Sequence, residues 1–409
     1  MSSMKLRKLL AVQAVYHLRS AARAADIVHM SQPAITGAIA KLETELAAKL
    51  FNRTSKGMEP THAGGLFCAR IEAAFHHLKA AESYLQARRG ARVPLHRLIT
   101  DVHLRALSAV IEVGGFSQAA RRLNLSQPSV HRAARDLESL CGVPLFRRDG
   151  ALFEPTTEAR ELARFGDLAF NELQMGLEEL KESQGRIEGT ITVGALPLAR
   201  SKWLPLAVGQ TLDLFPQAQI RIIDGPYDAM LNDVLHGRID VILGALRSPS
   251  PSPDIVQNFC FDDPLVIVVR ADHPLAQNFD SRSDKLLPEQ LADLSWILPR
   301  QGTPGRLAFT AFMAGKDLPP PRSVIECSSL VATRALLMKS ESAALLSRQQ
   351  VEIEVDLGLL KIMGPPLTGS KRSIGISTRK GFRPTRLQDA FLAAVVTVAQ
   401  SLAAKDLNS

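Results

Sequence analysis

Ser126-Gln127-Pro128-Ser129-Val130-His131-Arg132-Ala133-Ala134-Arg135-Asp136-Leu137-Glu138 decides the reading of this chain, because a second version of it stands 95 residues upstream. Ser31-Gln32-Pro33 aligns with Ser126-Gln127-Pro128, and the neighbours follow without gaps. Ala24-Ala25 meets Ala119-Ala120, Leu42-Glu43 meets Leu137-Glu138, and Leu50-Phe51 meets Leu145-Phe146. Arg53 meets Arg148, and Glu59-Pro60-Thr61 meets Glu154-Pro155-Thr156. About one position in four is identical over roughly sixty residues, the mark of a repeated unit. Two copies make a duplicated module; a solenoid needs three or more.

Local chemistry predicts three helices and a hairpin in the downstream copy. Leu104, Leu107, Val110 and Ile111 recur at helical spacing, and Gly114-Gly115 ends that helix. Ser117 is placed to cap a short second helix through Ala119-Ala120 to Leu123, where small alanines allow a close crossing. Asn124 and Leu125 turn the chain. Ser126 caps a third helix with Pro128 in its first turn, where a missing N–H costs nothing. Val130, Ala133, Ala134 and Leu137 form its apolar back. Gln127, His131 and Arg135, with Ser129 and Arg132 beside them, form a polar face suited to a major groove. Gln pairs adenine bidentately, Arg pairs guanine, and a helix N-terminus favours phosphate. Leu145-Phe146-Arg147-Arg148, the turn pair Asp149-Gly150 and Leu152-Phe153 predict a small wing whose arginines reach the DNA backbone or minor groove. Each residue alone also fits the surface of a helical bundle. The constellation, present twice, predicts double-stranded DNA as the partner.

Composition supports this division of labour. The 409 residues suit two to four domains, and 46% hydrophobic content suits a globular protein. Residues 1–150 hold 22 Lys and Arg against 11 Asp and Glu, while the remainder carries a net charge of −3. A basic head on a faintly acidic body fits polyanion binding, although a plain solvated basic surface gives the same count. No apolar run approaches the eighteen residues that span a bilayer, Phe391 to Ala399 being among the best, so no membrane association is expected. Residues 1–10 read as the start of an amphipathic helix without a cleavage pattern. Cys68, Cys141, Cys260 and Cys327 lie far apart with no CxxC pair, which predicts buried thiols in a reducing cytoplasm, with no disulfide, metal or cofactor.

The pattern Phe116-Ser117-Gln118-Ala119-Ala120, Ser126-Gln127-Pro128-Ser129-Val130, Leu137-Glu138, Leu145-Phe146-Arg147-Arg148 and Pro155-Thr156 resembles the winged helix-turn-helix of LysR-type transcriptional regulators. The resemblance implies a long helix after the wing that pairs antiparallel with its counterpart in a dimer. Both copies supply one: Ala63 to Ala87, with Leu66, Ile71, Phe75 and Leu78, and Thr157 to Ser183, with Leu162, Phe165, Leu173, Leu177 and Leu180. Thr61 and Thr156 are placed as their N-caps. Members of the family usually carry one such module, so the duplication is a departure.

The two copies differ where they would read DNA. Gln127, His131, Arg132 and Arg135 become Gln32, Thr36, Gly37 and Ala40, and only Lys41, opposite Asp136, restores a charge. Gly37 costs its helix about 1 kcal/mol relative to alanine. With Ser31, Gln32, Pro33, Thr36, Lys41, Arg53 and Lys56, copy 1 can still touch DNA, but it lacks the arginines that supply most guanine readout and attraction to phosphates. Copy 2 is therefore expected to be the main reader. Copy 1 is expected to be an accessory reader or a dimerisation partner whose long helix pairs with that of copy 2 in the same chain. Arg88-Arg89-Gly90-Ala91-Arg92-Val93-Pro94 reads as a basic linker between the copies.

After Gln184-Gly185 strands alternate with helices. Strands are expected at Thr190–Ala195, Ile220–Asp224 and Ile239–Gly244, with helices at Leu204–Phe215 and Ala229–Leu235, implying a mostly parallel sheet. Ligands of such sheets sit beyond the strand C-termini. Thr192-Val193-Gly194-Ala195-Leu196-Pro197, Gly225-Pro226-Tyr227-Asp228, Gly237-Arg238-Ile239-Asp240 with Gly244-Ala245-Leu246-Arg247, and Asp272-His273-Pro274-Leu275 resemble the effector domain of the same family, in its galactose-binding-protein-regulator branch. That resemblance implies a two-lobed fold like type 2 periplasmic binding proteins, with a small-molecule effector between the lobes. Candidate liners are Pro197, Arg200, Ser201 and Arg247 from lobe one and Gln301, Gly302, Thr303, Ser328 and Ser329 from lobe two. An arginine there can hold a carboxylate or phosphate bidentately, while Ser328 and Ser329 also fit plain helix caps.

The expected architecture is mixed: two helix-rich winged helix-turn-helix modules with long linker helices, then an α/β two-lobed domain. Boundaries are expected at 1–62, 63–90, 91–156, 157–185 and 186–409, with lobe one at 190–263 and 371–402 and lobe two at 264–370. The expected function is a cytoplasmic, effector-responsive transcriptional regulator that is a homodimer or homotetramer and meets RNA polymerase at promoters. An enzyme on the two-lobed body and a non-specific architectural DNA-binding protein are the alternatives. His273 lacks a nucleophile or acidic partner in sequence, and no GxSxG, P-loop, GxGxxG or HExxH occurs, so no catalysis is expected.

Overall fold

Residues 5–55, 57–89, 94–149, 152–186, 188–277, 279, 286–321 and 323–407 are described by the computed structural model. The chain falls into two units, Met1–Gly189 with Leu235–Arg238, and Thr190–Val234 with Ile239–Ser409.

In the first unit, copy 1 comprises α1 (Leu6–Leu18), α2 (Ala21–Val28), α3 (Gln32–Leu46) and the antiparallel hairpin β1 (Phe51–Thr54) and β2 (Gly57–Pro60). The long helix α4 (His62–Arg89) follows. A short α5 (Leu95–Leu98) leads to α6 (Asp101–Val113), α7 (Phe116–Leu123), α8 (Gln127–Cys141), the hairpin β3 (Phe146–Asp149) and β4 (Leu152–Pro155), and the second long helix α9 (Thr157–Ser183). The Gly150 half of the expected turn lies outside the described residues.

Much of the repeat turns out to be scaffold. The Glu43 carboxylate accepts the N–H groups of Leu50 (2.8 Å) and Phe51 (3.1 Å), clamping the wing to α3. Glu138 does the same for Leu145 (2.8 Å) and Phe146 (3.3 Å). Thr61 donates to the Lys49 carbonyl at 2.6 Å and accepts from the Gly64 N–H at 2.9 Å; Thr156 repeats this with Pro144 and Ala159. The recurring Leu-Glu and Glu-Pro-Thr segments thus satisfy backbone groups that a tight helix-to-strand turn would otherwise leave unpaired. Ser31 and Ser126 cap α3 and α8 through Ala34 and Ser129, each at 3.3 Å. Ser117 is no cap. Gly115 occupies that position, and the Ser117 hydroxyl donates to Gln127 Oε1 at 3.1 Å.

The long helices run antiparallel against each other within the one chain, Arg70 meeting Glu172 and Glu179 near one end and Arg88 meeting Glu158 at the other. Phe67, Ile71, Phe75, Leu78 and Leu85 of α4 share one core with Leu162, Ala169, Leu173 and Leu180 of α9. Leu66, expected on this face, is only half-buried; the neighbouring Phe67 takes its place.

The second unit has two five-stranded sheets. The first lobe contains β5 (Thr190–Ala195), α10 (Pro197–Ser201), α11 (Trp203–Leu214), β6 (Gln219–Ile223), α12 (Tyr227–Leu235), β7 (Val241–Ala245) and β8 (Ile255–Asp263). The second contains β9 (Leu265–Arg270), α13 (Pro288–Asp293), β10 (Ser295–Leu298), α14 (Pro304–Ala314), β11 (Val324–Glu326), α15 (Leu330–Lys339), β12 (Ser342–Ser347), α16 (Glu352–Asp356) and β13 (Leu360–Ile362). The chain then returns to the first lobe with β14 (Arg372–Arg379) and α17 (Arg386–Leu407). Strand orders are β6-β5-β7-β14-β8 and β11-β10-β12-β9-β13. β5 is parallel to β6 and β7, while the returning β14 is antiparallel to β7 and β8. At the crossover Asp263 accepts from Ser347 at 2.5 Å and pairs with Arg372, tying both crossing strands to lobe two.

α17 corrects one expectation. Over Arg386–Ala404 it is long and apolar enough to cross a membrane by length and composition, with mean hydropathy 1.4. Its Phe391, Val395, Val398 and Leu402 are instead buried in the lobe-one core, and Trp203 Nε1 donates to the Val395 carbonyl at 2.8 Å.

Candidate nucleic-acid interface and effector cleft

The third helix of copy 2 presents what the spacing implies. Val130, Ala133, Ala134 and Leu137 are buried, while Ser126, Gln127, Pro128, Ser129, Arg132 and Arg135 are exposed. Arg147 is exposed on β3; the Arg148 side chain lies outside the described residues. His131 departs from the expected free reading group. Its ring is half-buried and stacks on Phe116, with centroids 3.9 Å apart and planes 9° from parallel. That contact packs α8 against α7 and takes one face of the imidazole away from any base.

Copy 1 exposes Ser31, Gln32, Pro33, Lys41 and Arg53 and half-buries Thr36; Lys56 lies outside the described residues. A Cβ at Gly37 would meet nothing within 4 Å, so the missing arginine is not a steric necessity. Sequence reasoning missed one further asymmetry, although the same 95-residue offset reveals it. Exposed Arg121 and Arg122 of α7 stand where copy 1 has Asp26 and the exposed Ile27. Arg122 is held by Glu112 at 2.6 Å.

In the second unit Pro197, Arg200 and Ser201 lie on α10 at the C-terminal end of β5. Arg247 follows β7 beside it, the strands being joined there by Leu196 N–H to the Leu243 carbonyl at 3.0 Å. Gln301, Gly302 and Thr303 follow β10, and Ser328 and Ser329 follow its parallel neighbour β11. Each group therefore gathers at the strand ends of its own lobe. Contact across the lobes comes from Lys202 and Glu352, 2.7 Å apart. Thr303 and Ser329 cap α14 and α15 through Arg306 (3.4 Å) and Ala332 (3.3 Å), the plainer of their two roles. Arg200 is already paired with Asp224 at 2.7 Å. The Arg247 guanidinium lies 4.1 Å from the Tyr227 ring centroid, and burial lowers its pKa from the usual arginine range. Burial likewise raises the Tyr227 pKa, against the pull of Arg247. The Tyr227 and Ser201 hydroxyls are buried without a hydrogen-bond partner among the described residues. Tyr227 was not among the expected liners; its unpartnered hydroxyl and its contact with Arg247 single it out.

Two cavities lie elsewhere. One of about 520 Å³ sits between β8, β14 and α17 and is lined by Phe259, Phe382 and Val396 among others; one of about 430 Å³ sits in lobe two beside Phe312 and Met363. None of the nine expected liners borders either. His273 is buried, accepts from the Leu275 N–H at 3.1 Å and meets the Glu341 carbonyl at 3.1 Å.

Two basic winged helix-turn-helix modules and a two-lobed α/β domain define a bacterial DNA-binding regulator with a ligand-sensing body. The chain belongs to the LysR family: residues 6–65 and 102–160 each match the lysR-family bacterial regulatory helix-turn-helix protein, and 184–400 match the LysR substrate-binding domain. It is 31% identical over 398 residues to the HTH-type transcriptional regulator GalR of Pseudomonas putida, covering 97% of this chain and 98% of that one. Similarity to GbpR of Azospirillum brasilense is 29% over 61% of this chain and 72% of the relative. Among solved structures, ArgP from Mycobacterium tuberculosis (TM-score 0.55, 17% identity) and the LysR-family regulator CbnR (TM-score 0.51, 21% identity) share the fold. Each covers 73% of this chain and 96–98% of its own.

Proposed function

We infer that copy 2 is the main sequence-reading head of a promoter-binding regulator, with copy 1 as an accessory head. The carrying observation is that two modules with the same order of helices and hairpin differ on their outer faces. Arg121, Arg122, Arg132 and Arg135 in one stand where Asp26, Ile27, Gly37 and Ala40 stand in the other. Arginine supplies both guanine recognition and the salt-dependent attraction to phosphates, so the heads differ in both terms. The test substitutes Arg132 and Arg135 by Ala in one full-length variant and Gln32 and Lys41 in another. Operator affinity at fixed salt falls at least tenfold further in the first; equal losses refute the asymmetry.

The effector is a small anionic or hydroxylated molecule, a sugar or small organic acid, held at the strand ends of the two lobes. The unpartnered Tyr227 and Ser201 hydroxyls and the Arg247 guanidinium support this, because buried polar groups are normally paired. Closing the lobes on it would shift the population of DNA-binding arrangements. The protein acts in the cytoplasm, where DNA and RNA polymerase lie, as a homodimer or homotetramer and without catalytic turnover. Footprinting upstream of its neighbouring genes, with and without candidate sugars and acids, tests this; product formation from any of them overturns the non-enzymatic reading.

A further inference from the structure

The 95-residue offset that relates the two modules also relates the two long helices, and it exposes a sorting code between them. Arg70 of α4 corresponds to Phe165 of α9, while Glu172 and Glu179 of α9 correspond to His77 and Tyr84 of α4. The antiparallel pair therefore contains one kind of contact twice, once at each end. At one end Arg70, 1% exposed, binds Glu172 at 2.8 Å and Glu179 through Nε at 3.0 Å. At the other, the corresponding Phe165 and Tyr84 rings meet with centroids 6.4 Å apart.

Like-with-like pairing would break both contacts. Two α9 helices would set Phe165 against Glu172 and Glu179 at each end, leaving four carboxylates, two of them the buried Glu172, with no counterpart of Arg70. Two α4 helices would set Arg70 against His77 and Tyr84, burying two guanidinium groups with no carboxylate. Unpaired buried charge is strongly unfavourable, so only the mixed pair satisfies the interface. Size points the same way. A Cβ on Gly176 would lie 3.0 Å from both Arg70 Cβ and Phe67 Cδ2, and its counterpart in α4 is Ala81, so an α4 pair would also have to make room for that methyl.

We propose that this code makes the α4–α9 interface self-sorting by excluding α4–α4 and α9–α9 pairs, and that it is satisfied as the two helices stand, within one chain, so that a single chain forms both halves of a DNA-reading pair. A symmetric dimer reads two equal half-sites; this chain by itself would present two unequal heads, one chain per pair of half-sites. That last consequence rests on the DNA-reading assignment above; the sorting does not.

The test uses the full-length chain without DNA. Arg88 Nε and Glu158 Oε1 are 3.4 Å apart at the far end of the helix pair, with Arg88 half exposed. Arg88→Cys with Glu158→Cys, treated with a short bis-maleimide, gives an internally closed product of one-chain mass, with the joined peptides identified by mass spectrometry. Each single-cysteine variant serves as a control for Cys260 and Cys327. A product of two-chain mass that grows with protein concentration overturns closure within the chain. Adding Arg70→Glu lowers the one-chain product at least fivefold, and Arg70→Glu with Glu179→Arg restores at least half of it. If the swapped variant keeps its helix content but not the cross-link, the charge code is refuted. A closed one-chain product that fails to bind operator would support the sorting and overturn the DNA-reading assignment instead.

Discussion

Arg70→Met removes the guanidinium that pairs with Glu172 and Glu179 and leaves both carboxylates behind. Arg70 is 1% exposed, Glu172 2% and Glu179 17%, so water cannot replace the lost guanidinium at Glu172. Burial opposes the charge on Arg70, but the bonds to Glu179 and Glu172 outweigh it and raise its pKa. Methionine keeps the apolar stem, so the loss is electrostatic and not a cavity. Removing one partner of a buried pair costs about 3–5 kcal/mol. Native-state hydrogen exchange resolves this by peptide: at about 1.4 kcal/mol per tenfold, protection in α4 and α9 falls by roughly two to three and a half powers of ten. Peptides from β5 and β7 serve as the internal control. Arg70→Met with Glu172→Leu and Glu179→Met, which removes the charges together, recovers protection to within about tenfold of the parent. A loss below tenfold in the single variant would refute the view that this cluster holds the helices together.

Four further outcomes follow from the copies' differences and from burial. Ala47→Gly stabilises the first unit by about 0.5–1 kcal/mol in thermal unfolding, because Ala47 ends α3 at φ 49° whereas copy 2 has glycine, Gly142, at φ 58°. Gly37→Arg adds a side chain into open space, raises helix stability by about 0.8 kcal/mol, and steepens the salt dependence of operator binding by about one unit. His131→Ala loses the Phe116 stack and about 0.5–1.5 kcal/mol of stability, while the same change at Thr36, whose counterpart partner is Ala21, loses less. The Cys68 thiol, pushed up to about 12 chiefly by burial with Glu72 adding and Arg19 opposing, resists alkylation at pH 8 until the chain unfolds. Since its folded pKa exceeds the unfolded value near 8.5, its contribution is complete below that pH and declines as pH rises toward 12, by up to about 2 kcal/mol at pH 10 in denaturation curves.

Much of the first unit was legible in one dimension because its signals are local. Ser31 and Ser126 are caps whose partners lie three residues on, and the apolar stripes of α6 and α8 follow helical periodicity. Asn124 and Gly114 mark helix ends by their left-handed backbone. Ser117 misled for the same local reason: a serine beside a glycine pair resembles a cap, but its hydroxyl is taken by Gln127 in the next helix. His131 shows the limit of surface reasoning, since its ring has a partner fifteen residues earlier that periodicity does not reveal. The effector side was less legible. Tyr227 attracts notice only when folding leaves its hydroxyl unpartnered and brings Arg247, twenty residues on, over its ring.

By itself the sequence determined that a reading module occurs twice, that the second copy carries the arginines, and that strands alternate with helices beyond Gln184-Gly185. These rest on spacing, composition and short-range hydrogen bonding, which a linear chain displays. Only the tertiary structure decided that α4 takes α9 as its partner, and that Arg70, Glu172 and Glu179 meet in its interior. Read linearly, Arg70 is one more cation on a basic head. It becomes the centre of a specific pairing because burial removes water and leaves two carboxylates, about a hundred residues away, as the groups that satisfy it.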